Sequence, residues 1–250
     1  MLSAEQIHQN WETFQSQIKD LFPGRADALA KLYDDLGERM ALAPASSISH
    51  FHNAFEGGYV DHILRVMEFA NMLYDVYDKA GMDMHGFTKE ELMFAAVHHD
   101  LGKIGFPGDG GEIYQPNDSE WHRKNQGRMY KINENNPFTM VPDLSIWLLQ
   151  KYGVEMTWNE FQAIRIHDGL YDEGNRPYFI SRSESSKLKT NMVMILHQAD
   201  MMASRKEYEA YRDKKPSASI PKRSTRTGKS SISSSNKPMN TKDMFNDLFG

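Results

Sequence analysis

Apolar residues recur at spacings of three and four along most of the chain, and this periodicity is the feature that most restricts its fold. One such stripe comprises Ile7, Trp11, Phe14 and Ile18, and another comprises Val66, Phe69, Leu73 and Val76. Each stripe faces a core if its segment is helical. No segment shows the two-residue alternation that is typical of a half-buried strand, so the sequence predicts an all-α domain of about seven or eight helices.

Capping and turn residues predict where these helices begin and end. Thr88 and Glu91 form a predicted capping box, as do Thr157 and Glu160, and each pair precedes an apolar run. Glycines in residues 105–117 predict an irregular segment. The other predicted helices cover residues 4–20, 28–40, 59–80, 121–131, 142–153 and 187–212.

Composition divides the chain into an acidic main part and a basic C-terminal segment. The net charge of the whole chain is −5, although residues 214–240 contain many lysines and arginines and no acidic residue. That segment is rich in serine and poor in apolar residues, so we expect a disordered linker. The predicted organisation is a helical pair packed on the core (1–43), a main domain (44–213), the linker (214–240) and a partner-binding peptide (241–250). An acidic main domain argues against a protein that grips duplex DNA over a whole face.

The chain contains no cysteine and ten histidines. Disulfides, thiolate nucleophiles and cysteine metal sites are therefore excluded, and any bound metal must have nitrogen and oxygen ligands. The sequence shows no long uncharged apolar run and no signal-peptide pattern at its start. These features predict a cytoplasmic protein without membrane contact.

Three predicted helices each place a metal-type ligand among apolar residues. His62 lies four residues before Val66 and so points with the buried stripe. His98, His99 and Asp100 follow an apolar run, and Asp200 lies in a helix that is apolar on nearly every side. A buried carboxylate needs a cation or another partner. A single histidine of this kind is more often an ordinary core residue, but three such helices in this order favour a metal site. Whether His98 or His99 is the ligand stays open at this point.

These motifs, taken in order, resemble the HD-domain superfamily of metal-dependent phosphohydrolases, and especially the branch that contains HD-type exoribonucleases. The resemblance covers roughly residues 44–212. It rests on Gly57-Gly58-Tyr59-Val60-Asp61-His62, on His99-Asp100-Leu101-Gly102-Lys103 and on Leu196-His197-Gln198-Ala199-Asp200. The resemblance implies an all-helical HD-domain bundle.

The resemblance also implies a ligand set. A first metal would be held by His62, His99, Asp100 and Asp200, which selects His99 from the histidine doublet. A second metal, which several branches of the superfamily bind, would use His122 and His167. This chain has His167-Asp168-Gly169 where the exoribonuclease-like branch often has His-His-Gly.

Mixed imidazole and carboxylate ligands suit one or two divalent ions of Mn, Fe, Co, Ni or Zn, and suit Mg less well. Two ions roughly 3.5–4 Å apart would activate a bridging hydroxide for attack on a phosphoryl group, with Asp100 in contact with both ions. The predicted activity is hydrolysis of a phosphoester in a nucleotide or at the end of a single-stranded nucleic acid. A di-iron oxygenase on the same fold and a non-catalytic nucleotide-binding scaffold are the alternatives.

Several residues near these motifs are candidates for catalysis and substrate binding. Lys103 follows the predicted ligand Asp100 and can neutralise a phosphate oxygen, and Arg123 and Lys124 offer further cations, although each of the three also suits an ordinary surface position. Tyr114 is a candidate for stacking on a base, and so is the nearby Trp121.

The last eight residues, 243–250, resemble the acidic and hydrophobic tails by which several proteins of T-even-type bacteriophages bind the replication sliding clamp. The side chains that would enter a groove on the clamp are Met244, Phe245, Leu248 and Phe249. This resemblance implies a clamp partner and the cytoplasm of a phage-infected bacterium. The other reading is a tail that folds back on the chain or has no role.

Overall fold

The structure is a computed structural model that describes residues 1–181 and 183–214. These residues belong to one compact unit. It contains nine α-helices in its described part, namely α1 (Ala4–Leu21), α2 (Ala26–Leu42), α3 (Gly58–Lys79), α4 (Lys89–His98), α5 (Glu120–Gln126), α6 (Val141–Lys151), α7 (Trp158–Ile166), α8 (Arg176–Ile180) and α9 (Met192–Lys214). The predicted helical fold class is confirmed. The linker from residue 215 onward and the clamp-binding peptide 241–250 lie outside the described residues, so both stay predictions.

Two short strands depart from the purely helical prediction. Strand β1 (Tyr114–Pro116) pairs antiparallel with β2 (Tyr130–Ile132), with Tyr114 opposite Ile132. The first strand lies in the glycine-rich segment that we expected to be irregular. The second lies at the end of the helix predicted for residues 121–131, because α5 ends early where Gly127 takes a left-handed conformation with φ 66°. Three-residue strands are too short to show an alternating pattern.

Helix α4 occupies the centre of the bundle. Its residues from Leu92 to His98 are all buried, as the apolar run in the sequence requires. Helix α3 packs against α4 and along α9, and α7 packs against both α4 and α9. Helix α4 is therefore packed against α3 and α9, which carry the predicted ligands His62 and Asp200, and against α7, which precedes His167.

The two N-terminal helices are joined to this core through Arg25. Its guanidinium lies 4.0 Å from the ring centre of Phe94 and donates two hydrogen bonds, of 2.7 and 2.9 Å, to the carboxylate of Glu160 on α7. On α2, the hydroxyl of Tyr33 lies 2.8 Å from Nε2 of His98. Residues 1–43 are thus part of the same packed unit as the predicted main domain.

A tight turn before α3 brings another histidine towards the core. Gly57 has φ 79°, and a Cβ atom on Gly58 would lie 2.1 Å from the carbonyl oxygen of Asn53. Only glycine fits at both positions. Because the turn packs so closely on the start of α3, the rings of His52 and His62 lie 4.9 Å apart.

In the part of the chain that the structure describes, no helix combines the length and the apolar character that a membrane span needs.

Candidate metal centre

The predicted ligands His62, His99, Asp100 and Asp200 meet at the end of α4. Nε2 of His62 lies 3.2 Å from Oδ1 of Asp200 and 3.6 Å from Oδ2 of Asp100. Nε2 of His99 lies 3.5 Å from Oδ2 of Asp100 and 4.0 Å from Oδ1 of Asp200. Helices α3, α4 and α9 thus bring two imidazoles and two carboxylates within reach of a single cation.

His167, which follows α7, extends this group on the far side of Asp100. Its Nε2 lies 3.7 Å from Oδ1 of Asp100, and its ring centre lies 4.7 Å from that of His99. The two carboxylate oxygens of Asp100 therefore face different imidazoles. Within the described residues, three overlapping sets have ligand atoms that lie within 4.8 Å of one another: His62, His99 and Asp200; His99, Asp100 and His167; and His52, His62 and Asp100.

Two buried imidazole nitrogens are left without a hydrogen bond, and these are the atoms that face the carboxylates. Nε2 of His62 and Nε2 of His99 have no aligned hydrogen-bond partner among the described residues. The opposite nitrogens are bonded, because Nδ1 of His99 contacts the carbonyl oxygen of Ala96 at 2.9 Å and Nδ1 of His62 contacts Glu207. A buried nitrogen that lacks an aligned hydrogen bond is costly. Two of them beside two carboxylates fit a transition-metal or zinc ion.

Glu207 contacts the outer nitrogen of His62, and the sequence analysis did not identify it as a site residue. Its Oε1 and Oε2 lie 3.1 and 3.2 Å from Nδ1 of His62. Arg65 on α3 donates a short hydrogen bond to the same carboxylate, and Glu207 is buried. A carboxylate on the outer nitrogen of a metal-binding histidine fixes the orientation of the ring and strengthens it as a ligand.

The neighbouring His98 points away from this site. Its Nδ1 contacts the carbonyl oxygen of Phe94 at 2.8 Å, and its Nε2 contacts the hydroxyl of Tyr33. Burial lowers the pKa of His98 to about 3, so the ring is neutral. Of the two adjacent histidines, His99 is the one that faces the carboxylates, as the family resemblance implied.

His52 is a further histidine at the site that the sequence analysis did not single out. It lies in the loop before α3, and its Nε2 is 3.2 Å from Nζ of Lys103. Lys103 in turn donates to Oδ2 of Asp100 at 2.6 Å. His52, Lys103 and Asp100 therefore form a continuous polar chain at the edge of the metal-ligand group.

Lys103 keeps Asp100 ionised despite its burial. Burial raises the pKa of this carboxyl, but the charges of Lys103 and of the nearby His167 outweigh that effect and hold the pKa well below its ordinary value. Burial lowers the pKa of Lys103, but Asp100 raises it above the ordinary value. An anionic Asp100 is the form that binds a cation.

The three histidines at the centre differ in their protonation. Burial lowers the pKa of His62, but Glu207 and Asp200 raise it more, to about 10. Burial likewise lowers the pKa of His167, but Asp100 and Asp168 raise it to about 9. For His99, burial dominates and lowers the pKa to about 4. The carboxylates thus keep His62 and His167 protonated when no cation is bound. A bound cation would replace these protons.

His122 is the one predicted ligand that the structure does not bring to this group. It is half-buried on α5, where its ring centre lies 5.2 Å from that of Trp121. It is absent from the metal-ligand sets found among the described residues. Helix α5 lies between strands β1 and β2 in the chain.

The predicted substrate residues lie in different places. Arg123 donates to the backbone carbonyl of Asn117, and Lys124 forms an exposed ion pair with Glu120. Tyr114 lies close to Lys103. Burial raises the pKa of the Tyr114 hydroxyl, and the positive charge of Lys103 offsets part of that rise. Of the three substrate-binding predictions, Tyr114 is the one that the structure places next to the polar chain of the site.

A cleft of about 730 Å³ opens beside the metal-ligand group. His52, Asp168 and Asp200 line it, so the site is reached from solvent through this cleft. A volume of this size accommodates a small-molecule ligand.

Comparison of the chain with protein-family models, with curated proteins and with solved structures finds no match.

Proposed function

We propose that this chain is an HD-type metal-dependent phosphohydrolase that cleaves a phosphoester in a nucleotide or at the end of a single-stranded nucleic acid. The observation that carries the proposal is the pair of unbonded Nε2 atoms, on His62 and His99, which face Asp100 and Asp200. Their order along the chain, histidine, then histidine and aspartate, then aspartate, supports the family resemblance.

The proposed ligands form two groups, one for each cation position. His62, His99, Asp100 and Asp200 would hold the first cation. His167, on the other oxygen of Asp100, supports a second cation position beside the first. A divalent ion bound there supplies an activated water molecule and positive charge for the phosphoryl oxygens. Mn, Fe, Co, Ni or Zn suits this set of nitrogens and carboxylates better than Mg.

The remaining groups bind and orient the substrate. The ammonium group of Lys103 lies beside Asp100 and can donate to a non-bridging phosphate oxygen at the site. His52 holds that ammonium group from the other side. The cleft beside Asp200 and Asp168 admits the substrate to one face of the group.

The deciding experiment compares turnover and metal content in matched variants. The Mn²⁺-loaded protein is incubated with a pool of nucleoside mono- and triphosphates, cyclic dinucleotides and a single-stranded oligonucleotide, and the products are identified by mass. The variant Asp100→Ala should lose both turnover and bound metal. Asp109→Ala, which removes an exposed carboxylate from the glycine-rich segment, should keep both.

The outcomes separate the proposed hydrolase from its alternatives. Turnover of one compound, lost only in Asp100→Ala, would support the hydrolase and name its substrate class. A protein that binds metal but hydrolyses none of these compounds would overturn it. Oxygen uptake by the iron-loaded protein would then indicate the oxygenase instead.

A further inference from the structure

We propose that the cleft beside the metal centre contains a subsite for a nucleobase, formed by Phe51, Tyr171 and Tyr208. The inference rests on the proposed function for the position of the phosphate, which lies at the metal end of the cleft. It extends that function by assigning the part of the substrate that the protein recognises. The substrate class is then a phosphoester that carries an aromatic base.

The three aromatic residues and the metal ligands share one continuous cleft. Phe51, Tyr171 and Tyr208 line it together with His52 and Asp200. Phe51 directly precedes His52 in the chain. Tyr208 follows Asp200 by two turns of α9, which places it roughly 12 Å further along the helix axis. The sugar and base of a nucleotide can span this distance when the phosphate lies at the ligand group.

Two of these rings are exposed at the rim of the cleft. Phe51 is 53% exposed and Tyr171 is 82% exposed. Each has an aromatic neighbour, since the ring centre of His50 lies 4.8 Å from that of Phe51 and the ring centre of His197 lies 6.5 Å from that of Tyr171. An exposed aromatic face beside a polar site is suited to stacking on a base.

The distribution of charge gives the substrate a direction in the cleft. The carboxylates of Asp168 and Asp200 lie at the end near the metal ligands. At the other end, the guanidinium of Arg205 lies 5.6 Å from the ring centre of Tyr208 and pairs with Glu209. A phosphate needs the cation that the carboxylates bind, whereas an uncharged base needs only the apolar faces. The phosphate therefore points towards Asp200, and the base lies against the aromatic rings that line the cleft.

The test measures binding without turnover. The two probes are the phosphonate analogues of adenosine monophosphate and of ribose 5-phosphate, in which CH₂ replaces the ester oxygen so that neither can be hydrolysed. Their affinities for the Mn²⁺-loaded protein are measured by calorimetry for the wild type, Phe51→Ala and Tyr171→Ala. The control variant is Phe138→Ala, which removes an aromatic side chain that is 93% exposed and does not line this cleft.

We expect the adenosine analogue to bind more tightly than the ribose analogue to the wild type. Phe51→Ala and Tyr171→Ala should each weaken the adenosine analogue about tenfold, the scale of one stacking contact. Both variants should leave the ribose analogue unchanged, and Phe138→Ala should change neither. Equal affinities for the two analogues in the wild type, equal losses for both analogues in the variants, or no binding of either analogue would overturn the subsite.

The same data separate this inference from the proposed hydrolase. Base-selective binding that depends on Phe51 and Tyr171, in a protein without phosphohydrolase activity, would support the subsite and overturn the hydrolase. Hydrolysis of phosphoesters without any preference for a base would support the hydrolase and overturn the subsite.

Discussion

Nδ1 of His62 lies 3.1 Å from Oε1 of Glu207, although 145 positions separate the two residues in the chain. This contact joins α3 to α9 and directs the other nitrogen of the imidazole towards Asp100 and Asp200. Arg65 contacts the same carboxylate, so Glu207 is held from two sides. In the proposed metal site, the strength of His62 as a ligand would thus depend on Glu207, which contacts only the outer nitrogen of the ring.

Replacement of Glu207 by Gln should weaken Mn²⁺ binding by roughly 10–100-fold, because the amide keeps the size of the side chain but removes its charge from the outer nitrogen of His62. The measurement is a calorimetric titration with Mn²⁺. Glu209→Gln is the matched control, since Glu209 lies on the same helix and pairs with Arg205 instead. Equal affinities of the two variants would contradict this role for Glu207.

Replacement of Lys103 by Met should reduce turnover by roughly 100-fold while bound metal is retained, because the phosphate loses a preorganised positive charge. Metal content and kcat are measured on the same preparation. Lys124→Met should behave as the wild type, since the ammonium of Lys124 pairs with Glu120 at the surface. Full turnover by Lys103→Met would rule out the catalytic role of this residue.

The two histidines predicted as ligands of a second metal should respond differently to substitution. His167→Ala should lower the metal content, because Nε2 of His167 lies 3.7 Å from Oδ1 of Asp100. His122→Ala should leave the metal content unchanged, because this side chain packs beside Trp121 on α5. Elemental analysis of dialysed protein measures both. Loss of metal from His122→Ala would show that α5 moves to the site.

Affinity for Mn²⁺ should rise with pH up to about pH 10. The pKa of His62 is raised to about 10 and that of His167 to about 9, so both rings carry a proton at neutral pH before a cation binds. Each proton must leave as the cation enters, so each contributes up to about tenfold in affinity per pH unit. Calorimetry in buffers of different ionisation enthalpy measures the protons released. An affinity that is constant between pH 7 and 9 would contradict these shifts.

The same shifts stabilise the cation-free fold at low pH. A raised histidine pKa contributes stability that is complete below the ordinary value of about 6.5 and is lost as the pH rises through the folded-state value. For His62 and His167, that loss falls between about pH 6.5 and 10. Thermal unfolding of the chelator-treated protein should therefore show this contribution decrease over that range.

Replacement of Arg25 by Leu should lower the free energy of unfolding by about 3–5 kcal/mol, because it leaves the fully buried carboxylate of Glu160 without its charged partner. Urea unfolding measures this loss. Lys19→Leu, at an exposed position on α1, serves as the control. The double variant with Glu160→Gln should be less destabilised than the sum of the single variants, and strict additivity would contradict the pairing.

Much of the bundle could be predicted because its helices are either amphipathic or wholly apolar. The capping boxes at Thr88 and Thr157 are present as predicted. The short strands β1 and β2 could not be found in this way, since main-chain hydrogen bonds between distant residues define them. Helix α8 has five residues, too few to show a period of 3.6.

Site residues on regular helices could likewise be predicted, whereas those in irregular segments could not. His62 and Asp200 were found because a polar residue interrupts an apolar helical face. Glu207 carries the same signal, since it follows the buried Ala199 and Ala203 at intervals of four on α9, and reading that stripe further would have identified it. His52 carries no such signal, because it lies in an irregular loop whose path depends on the contact between Gly58 and Asn53.

The proposed ligands come from four separate stretches of chain: His62 on α3, His99 and Asp100 at the end of α4, His167 after α7 and Asp200 on α9. These stretches meet only in the native bundle, so bound Co²⁺ would report the folded state by its visible absorption. Gradual addition of urea would then distinguish two modes of unfolding. Loss of the colour together with the helical signal would mean that the bundle opens in one step. Loss of the colour first would mean that one stretch, such as α9, detaches while the rest of the helices persist.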